Sequence, residues 1–142
     1  MEQIAIIYWS QTGNTKAMAE AIKAGVETVA PAALYQVSEI SPAEAANYEK
    51  LLLGCPAMGD EVLEEDEFEP FFTDLEKSIS GKKVALFGSY DWGDGEWMRN
   101  WVERTAEAGA AVYQNEGFII HEEPDADGVA ECQAFGKGFA TF

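Results

Sequence analysis

The sequence predicts an α/β protein built on a doubly wound parallel sheet with helices on both faces. Three observations lead there. Short apolar runs alternate with stretches of helical periodicity along the chain, the signature of strand–helix–strand crossovers. The runs are near-continuous, as strands covered on both faces require. The 142 residues, 47% of them hydrophobic, carry no repeat or Pro/Gly-rich linker, so one domain spanning residues 1–142 is expected.

The elements follow in order. Ile4–Tyr8 is the first buried strand. After a polar turn at Ser10–Thr15, Met18, Ala19, Ile22 and Val26 recur at helical spacing. Ala33–Val37 is the second strand. Ser41-Pro-Ala-Glu44 reads as a helix start, with Ser41 capping, Pro42 in the first turn and Glu44 closing a capping box. Leu51–Gly54 and Val84–Phe87 are two further buried strands, separated by a long acidic loop and a helix near Glu69–Lys77. Glu96–Ala108 forms a helix stopped by Gly109. Val112 and Phe118–Ile120 supply a fifth strand, and Val129–Phe139 a final helix.

Composition excludes several functions. With 26 acids against 9 Lys and Arg, the net charge of −17 repels phosphate backbones and anionic lipid, so neither nucleic acid nor membrane is an expected partner. A basic patch on another protein is. No apolar run approaches a membrane span, and Met1-Glu-Gln lacks the basic start of a signal peptide. Cys55 and Cys132 are too few for a disulfide framework and lack metal-ligand spacing, which suits a reducing, cytoplasmic location without a metal. A monomer is expected.

Open parallel sheets bind ligands beyond the carboxyl ends of their strands. Three loops lie there. Ser10-Gln-Thr-Gly-Asn-Thr15 offers three hydroxyls, a side-chain amide, a glycine and the free amides of a helix N-terminus, all suited to a phosphate. It is neither a Walker loop nor a dinucleotide fingerprint. The same residue types also make an ordinary polar turn with an Asn or Thr helix cap. Gly54-Cys-Pro-Ala-Met-Gly-Asp-Glu61 and Gly88-Ser-Tyr-Asp-Trp-Gly-Asp-Gly95 follow the third and fourth strands. Tyr90 and Trp92 suit stacking on a flat ligand, with the adaptable Met58 on its other side. Alternatively, Trp92 and Met58 plug the end of the sheet. Phosphate site and stacking site together indicate a mononucleotide with a large planar ring.

The three loops, in this order and spacing, resemble the flavin mononucleotide (FMN) loops of the short-chain flavodoxins of anaerobic bacteria. The likeness extends over almost the whole chain, including Glu69-Pro-Phe-Phe72 and Glu123-Pro-Asp125. It implies a five-stranded sheet in the order 2-1-3-4-5, one bound FMN and no catalysis of its own. It also implies a low-potential one-electron carrier that shuttles between semiquinone and hydroquinone. Ser10, Thr12, Asn14 and Thr15 would hold the phosphate, with the backbone amides of Gln11 and Gly13. Pro56, Ala57, Met58, Gly59, Asp60 and Glu61 would form the second wall. Ser89, Tyr90, Asp91, Trp92 and Gly93 would form the third. Met58 and Trp92 would flank the ring, Trp92 outermost, and Glu61 would accept from its N3–H. Gly59 would be the switch of the Met58–Glu61 turn, letting the peptide after it rotate toward the protonated N5. Asp91 stands where the family has glycine; its carboxylate either repels charge added to the ring or faces solvent.

Asp60–Glu76 holds nine acids and no base, and Glu122, Glu123, Asp125, Asp127 and Glu131 form a second group. They read either as a solvated surface or as a docking ring for basic faces of reductases and oxidoreductases, weak and salt-sensitive. His121 is expected at the surface, and Cys55 as a buried, inert thiol. Two other classes share the pattern. An FMN-dependent NAD(P)H oxidoreductase acting on quinones or azo compounds would need room for a second substrate. A phosphoacceptor receiver would need an Asp after the third strand, where Gly54-Cys-Pro56 stands.

Overall fold

The apolar runs at residues 4–8, 51–54 and 84–87 do become strands buried from both sides. The computed structural model describes residues 4–59, 61–91 and 93–142. Its elements are β1 (Ile4–Tyr8), α1 (Asn14–Val26), β2 (Ala32–Gln36), α2 (Pro42–Ala45), β3 (Lys50–Gly54), α3 (Phe68–Leu75), β4 (Lys83–Tyr90), α4 (Glu96–Glu107), β5 (Ala111–Val112), β6 (Phe118–His121) and α5 (Ala126–Ala140). The parallel sheet runs β2-β1-β3-β4, and both β5 and β6 pair with the outer edge of β4.

The expected order 2-1-3-4-5 is present, and a sixth strand is added to it. Val112 pairs beside Val84 and Phe118 beside Phe87, so the five residues 113–117 span only two residues of β4. The chain leaves the sheet there, with Gln114 and Asn115 at φ of +61° and +57°. Tyr113 is drawn onto the Phe135 and Phe139 rings of α5. β2 also starts and ends one residue earlier than predicted, because Val37 opens a 3₁₀ turn whose Glu39 carboxylate accepts from the Gln36 N–H at 2.7 Å. The Ser41–Glu44 capping box forms as expected, at 3.1 Å in both directions.

Strand alternation sorts the core into two layers. Ala5, Ile7, Leu51, Leu53, Val84 and Leu86 face α2, α3 and α4, where Phe68, Phe72, Trp97 and Trp101 are buried. Ile4, Ile6, Leu52, Ala85 and Phe87 face Met18 and Ile22 of α1 and Phe135 and Phe139 of α5. α1 and α5 touch backbone to backbone: a methyl on Gly25 would overlap the Gln133 carbonyl oxygen, and one on Gly136 the Ile22 carbonyl oxygen. On the face above α3, Arg104 of α4 lies 4.8 Å over the Phe72 ring and pairs with Glu69 at 2.7 Å and Glu76 at 3.0 Å. Among the described residues no helix is long and apolar enough to cross a membrane.

Candidate functional site

The first loop leaves β1 at Tyr8 and turns into α1 through Gly13, whose φ of +97° only glycine adopts at little cost. Gly13 therefore occupies the helix cap, and the Asn or Thr side-chain cap of the alternative reading does not form. Ser10 does the work instead. Its Oγ accepts from the N–H of Gly13 at 3.1 Å and of Lys16 at 3.3 Å. Both lone pairs are then used, and the hydroxyl proton is left to donate outward. Thr15 is withdrawn into the floor, 1% exposed, with its Oγ1 2.9 Å from the Ser89 Oγ. One hydroxyl of that pair donates to the other, so one proton again remains for a ligand. Asn14 is half-buried at the lip, while Gln11 and Thr12 are exposed.

The second loop is stitched to the third before either reaches the cleft. The Cys55 N–H donates to the Phe87 carbonyl and the Ala57 N–H to the Ser89 carbonyl, each at 3.1 Å, which carries the β3–β4 ladder past the end of β3. The Trp97 indole N–H binds the Cys55 carbonyl from α4, also at 3.1 Å. Beyond Ala57, Met58 and Val62 exchange two 3.0 Å backbone bonds and close a tight loop with Gly59 at its exposed tip. Gly59 has φ +49°, and Glu61 is left-handed as well at +57°. The Glu61 carboxylate accepts from the Gly95 N–H at 3.3 Å and lies against Gly93, so the second and third loops meet side chain to backbone.

Ser10, Gln11, Thr12, Asn14, Thr15, Pro56, Ala57, Met58, Ser89, Tyr90 and Asp91 line one cleft between the three loops. The roles predicted for Asp60 and Trp92 fall outside the described residues. A larger cavity, about 360 Å³, lies between α4 and residues 115–119, and no predicted site residue lines it.

Three features of the neighbourhood were not read from the sequence. Glu64 is 6% exposed, not part of a solvated acidic face, and accepts from the amides of Asp66, Glu67 and Phe68 at 2.7–2.9 Å. It thereby caps the start of α3, and its own N–H reaches the Cys55 sulfur at 3.4 Å. An acid a few residues ahead of an apolar helix start was the available signal. Trp9 donates its indole N–H to Glu67 at 3.1 Å, tying the end of β1 to the same acidic loop. His121, though exposed as expected, lies on Tyr90 with ring centroids 5.1 Å apart. Burial pushes the Cys55 thiol well up and the Cys132 thiol up to about 12, which keeps both protonated and unreactive.

The lining donors are hydroxyls, amides and a helix N-terminus, with no lysine or arginine among them. That set fits a phosphate monoester, which needs many donors and is served here by the positive end of α1. The Flavodoxin family model matches residues 6–136. The chain belongs to the flavodoxin family. It is 50% identical over 137 residues to the flavodoxin of Clostridium beijerinckii, covering 96% of this chain and 98% of that one. It is 46% identical over 138 residues to the flavodoxin of Megasphaera elsdenii, with the same coverage. The solution structure of two-electron reduced Megasphaera elsdenii flavodoxin superposes with a TM-score of 0.89 at 45% identity, covering 98% of this chain and 99% of that one. As a flavodoxin the chain is an FMN-binding electron carrier that serves redox partners and not a catalyst, and an oxidoreductase reading is not favoured.

Proposed function

We propose that the cleft between the three loops holds FMN with its phosphate at the N-terminus of α1, and that the whole chain acts as one low-potential, cytoplasmic, monomeric carrier. The observation that supports this reading most is the convergence of neutral donors from β1–α1 and Ser89 on one side of a cleft whose other side carries Met58 and Tyr90. FMN supplies the redox chemistry, accepting and releasing electrons one at a time. The chain positions and tunes it. Ser10, Thr12, Asn14 and Thr15, with the amides of Gln11 and Gly13, bind the phosphate. Pro56, Ala57 and Met58 line the wall beside Ser89 and Tyr90, and Gly93 lets the Glu61 carboxylate approach. Glu61 leaves the Gly95 amide to accept from the ring, and Gly59 permits the backbone rearrangement at the loop tip. Asp60 and Trp92 complete the proposed set.

The cleft carries the exposed carboxylate of Asp91, and among the described residues no basic side chain lines it. Each added electron therefore enters a field of like charge, which lowers the second potential more than the first. The same acidic charge suits basic faces of donor and acceptor proteins, in encounters brief enough for exchange.

Anaerobic reductive titration of the purified chain, with FMN added to any apoprotein, tests this reading. Two separated one-electron steps with the second strongly reducing are expected, with no NAD(P)H oxidation by the chain alone. A single two-electron step, or a chain that takes up no FMN, overturns it.

A further inference from the structure

His121 ends β6 directly opposite Tyr90 in the sheet register. Its Nε2 lies 2.9 Å from the backbone carbonyl oxygen of Asp91, one residue beyond the end of β4. Its ring rests on that of Tyr90, tilted by 53°. The next residue, Glu122, donates its N–H to the Tyr90 carbonyl at 2.8 Å. Glu122 adopts φ +60°, and the turn brings its carboxylate back to 3.5 Å from the His121 Nδ1. The imidazole thus bridges the start of the Asp91–Gly95 loop and the turn that leads into α5. Only a protonated Nε2 can bond to a carbonyl, so neutral His121 holds the loop as the Nε2–H tautomer. Its Nδ1 lone pair then faces the Glu122 carboxylate. A second proton, on Nδ1, turns that opposition into a charge-assisted hydrogen bond and strengthens the Nε2–H donor. The titratable groups facing the ring are the Tyr90 phenol from the β4 side and Glu122 from its own side, while Asp91 meets it through its backbone carbonyl.

We propose that His121 is a positioning residue for the third flavin loop: it anchors the Asp91 carbonyl to the edge of β6, and its protonation tightens that anchor. This rests on the FMN reading of the cleft. FMN affinity and both reduction potentials then depend on the charge of His121. Affinity rises on the acid side, where the anchor is strongest.

The test compares wild type with His121→Gln and His121→Ala. Gln keeps a neutral N–H donor and cannot titrate; Ala removes the donor. FMN dissociation constants and both potentials are measured from pH 5 to 8, together with Gly93 and Gly95 amide shifts in the FMN-free protein. His121→Ala is expected to weaken FMN binding about five-fold, the worth of one neutral hydrogen bond. His121→Gln restores most of that affinity at neutral pH and lacks the acid-side step. The Gly93 and Gly95 shifts should follow the His121 titration in wild type and stay flat in His121→Gln. Equal affinities in all three proteins, or an acid-side step that persists in His121→Gln, overturn the proposal. A wild type that binds no FMN overturns the reading of the cleft instead, while the amide shifts still decide whether His121 anchors the loop.

Discussion

At Gly59 the proposed backbone switch can be tested without disturbing any packing. A methyl placed on it meets nothing within 4 Å, so Gly59→Ala changes no packing and acts through the backbone alone, at φ +49°. A left-handed alanine costs about 1–1.5 kcal/mol. Charged to the form of the loop that the first electron favours, that strain equals about 40–65 mV for a one-electron couple. Because the same strain sits in the loop at this φ, Gly59→Ala is expected to lower the urea midpoint, by about 1–1.5 kcal/mol of stability, besides lowering the first potential by up to that order. Potentiometric titration beside an unfolding curve separates the two. The residue scale was also where the sequence was hardest to read. The hydroxyls of the first loop were visible, yet which of them satisfies the helix start was not. Thr15 is taken by Ser89, 74 positions away, and that partnership exists only once β1 and β4 stand in one sheet. The contact of His121 with Tyr90 likewise depends on a strand register that no local pattern carries.

At the scale of elements, the buried strands and most helix starts were legible because each carries its own signal, a solid apolar run or a Ser-Pro-x-Glu box. The division of the last strand was not, since Val112 and Phe118–Ile120 look like one interrupted apolar stretch. The polar Gln114-Asn115-Glu116-Gly117 between them is where the chain leaves the sheet. Packing between helices supplies two predictions. Gly136 of α5 has no room for a methyl beside the Ile22 carbonyl, so Gly136→Ala forces α1 and α5 apart and should destabilise by about 1–3 kcal/mol in equilibrium unfolding. Arg104 joins α4 to α3. Its hydrogen bond to Glu69 holds that carboxyl below its usual range, against the opposing effect of burial. A carboxyl lowered in the folded state favours folding when pH is above its unfolded value and loses that advantage as pH falls through the folded value. Arg104→Gln should therefore lower the urea midpoint at pH 7 and narrow the gap between the midpoints at pH 7 and pH 3.

For the whole molecule, charge is arranged along the strands. The acids of residues 61–67 and 122–125 follow the carboxyl ends of β3 and β6 in the chain, while Lys50, Lys82 and Lys83 stand at the opposite, amino ends of β3 and β4. Two of those lysines are tied to C-terminal carbonyls, Lys50 to Ala140 at 3.0 Å and Lys83 to Phe142 at 2.8 Å. On the proposed reading, a basic partner would be drawn toward the cleft end. Stopped-flow electron exchange with such a partner should slow steeply as salt rises from 10 to about 200 mM, across which the Debye length falls from about 30 Å to under 10 Å. The close seat of α1 on α5 has a different consequence, for the order in which a growing chain can finish itself. The phosphate loop and α1 are synthesised early, and α5, the helix that covers α1, comes more than a hundred residues later. At 5–20 residues per second that is a wait of about 6–20 s. During that time the first loop exists without the Ser89 floor or the helix that braces it. On the FMN reading, the cofactor then has no complete seat until both Ser89 and α5 have been made.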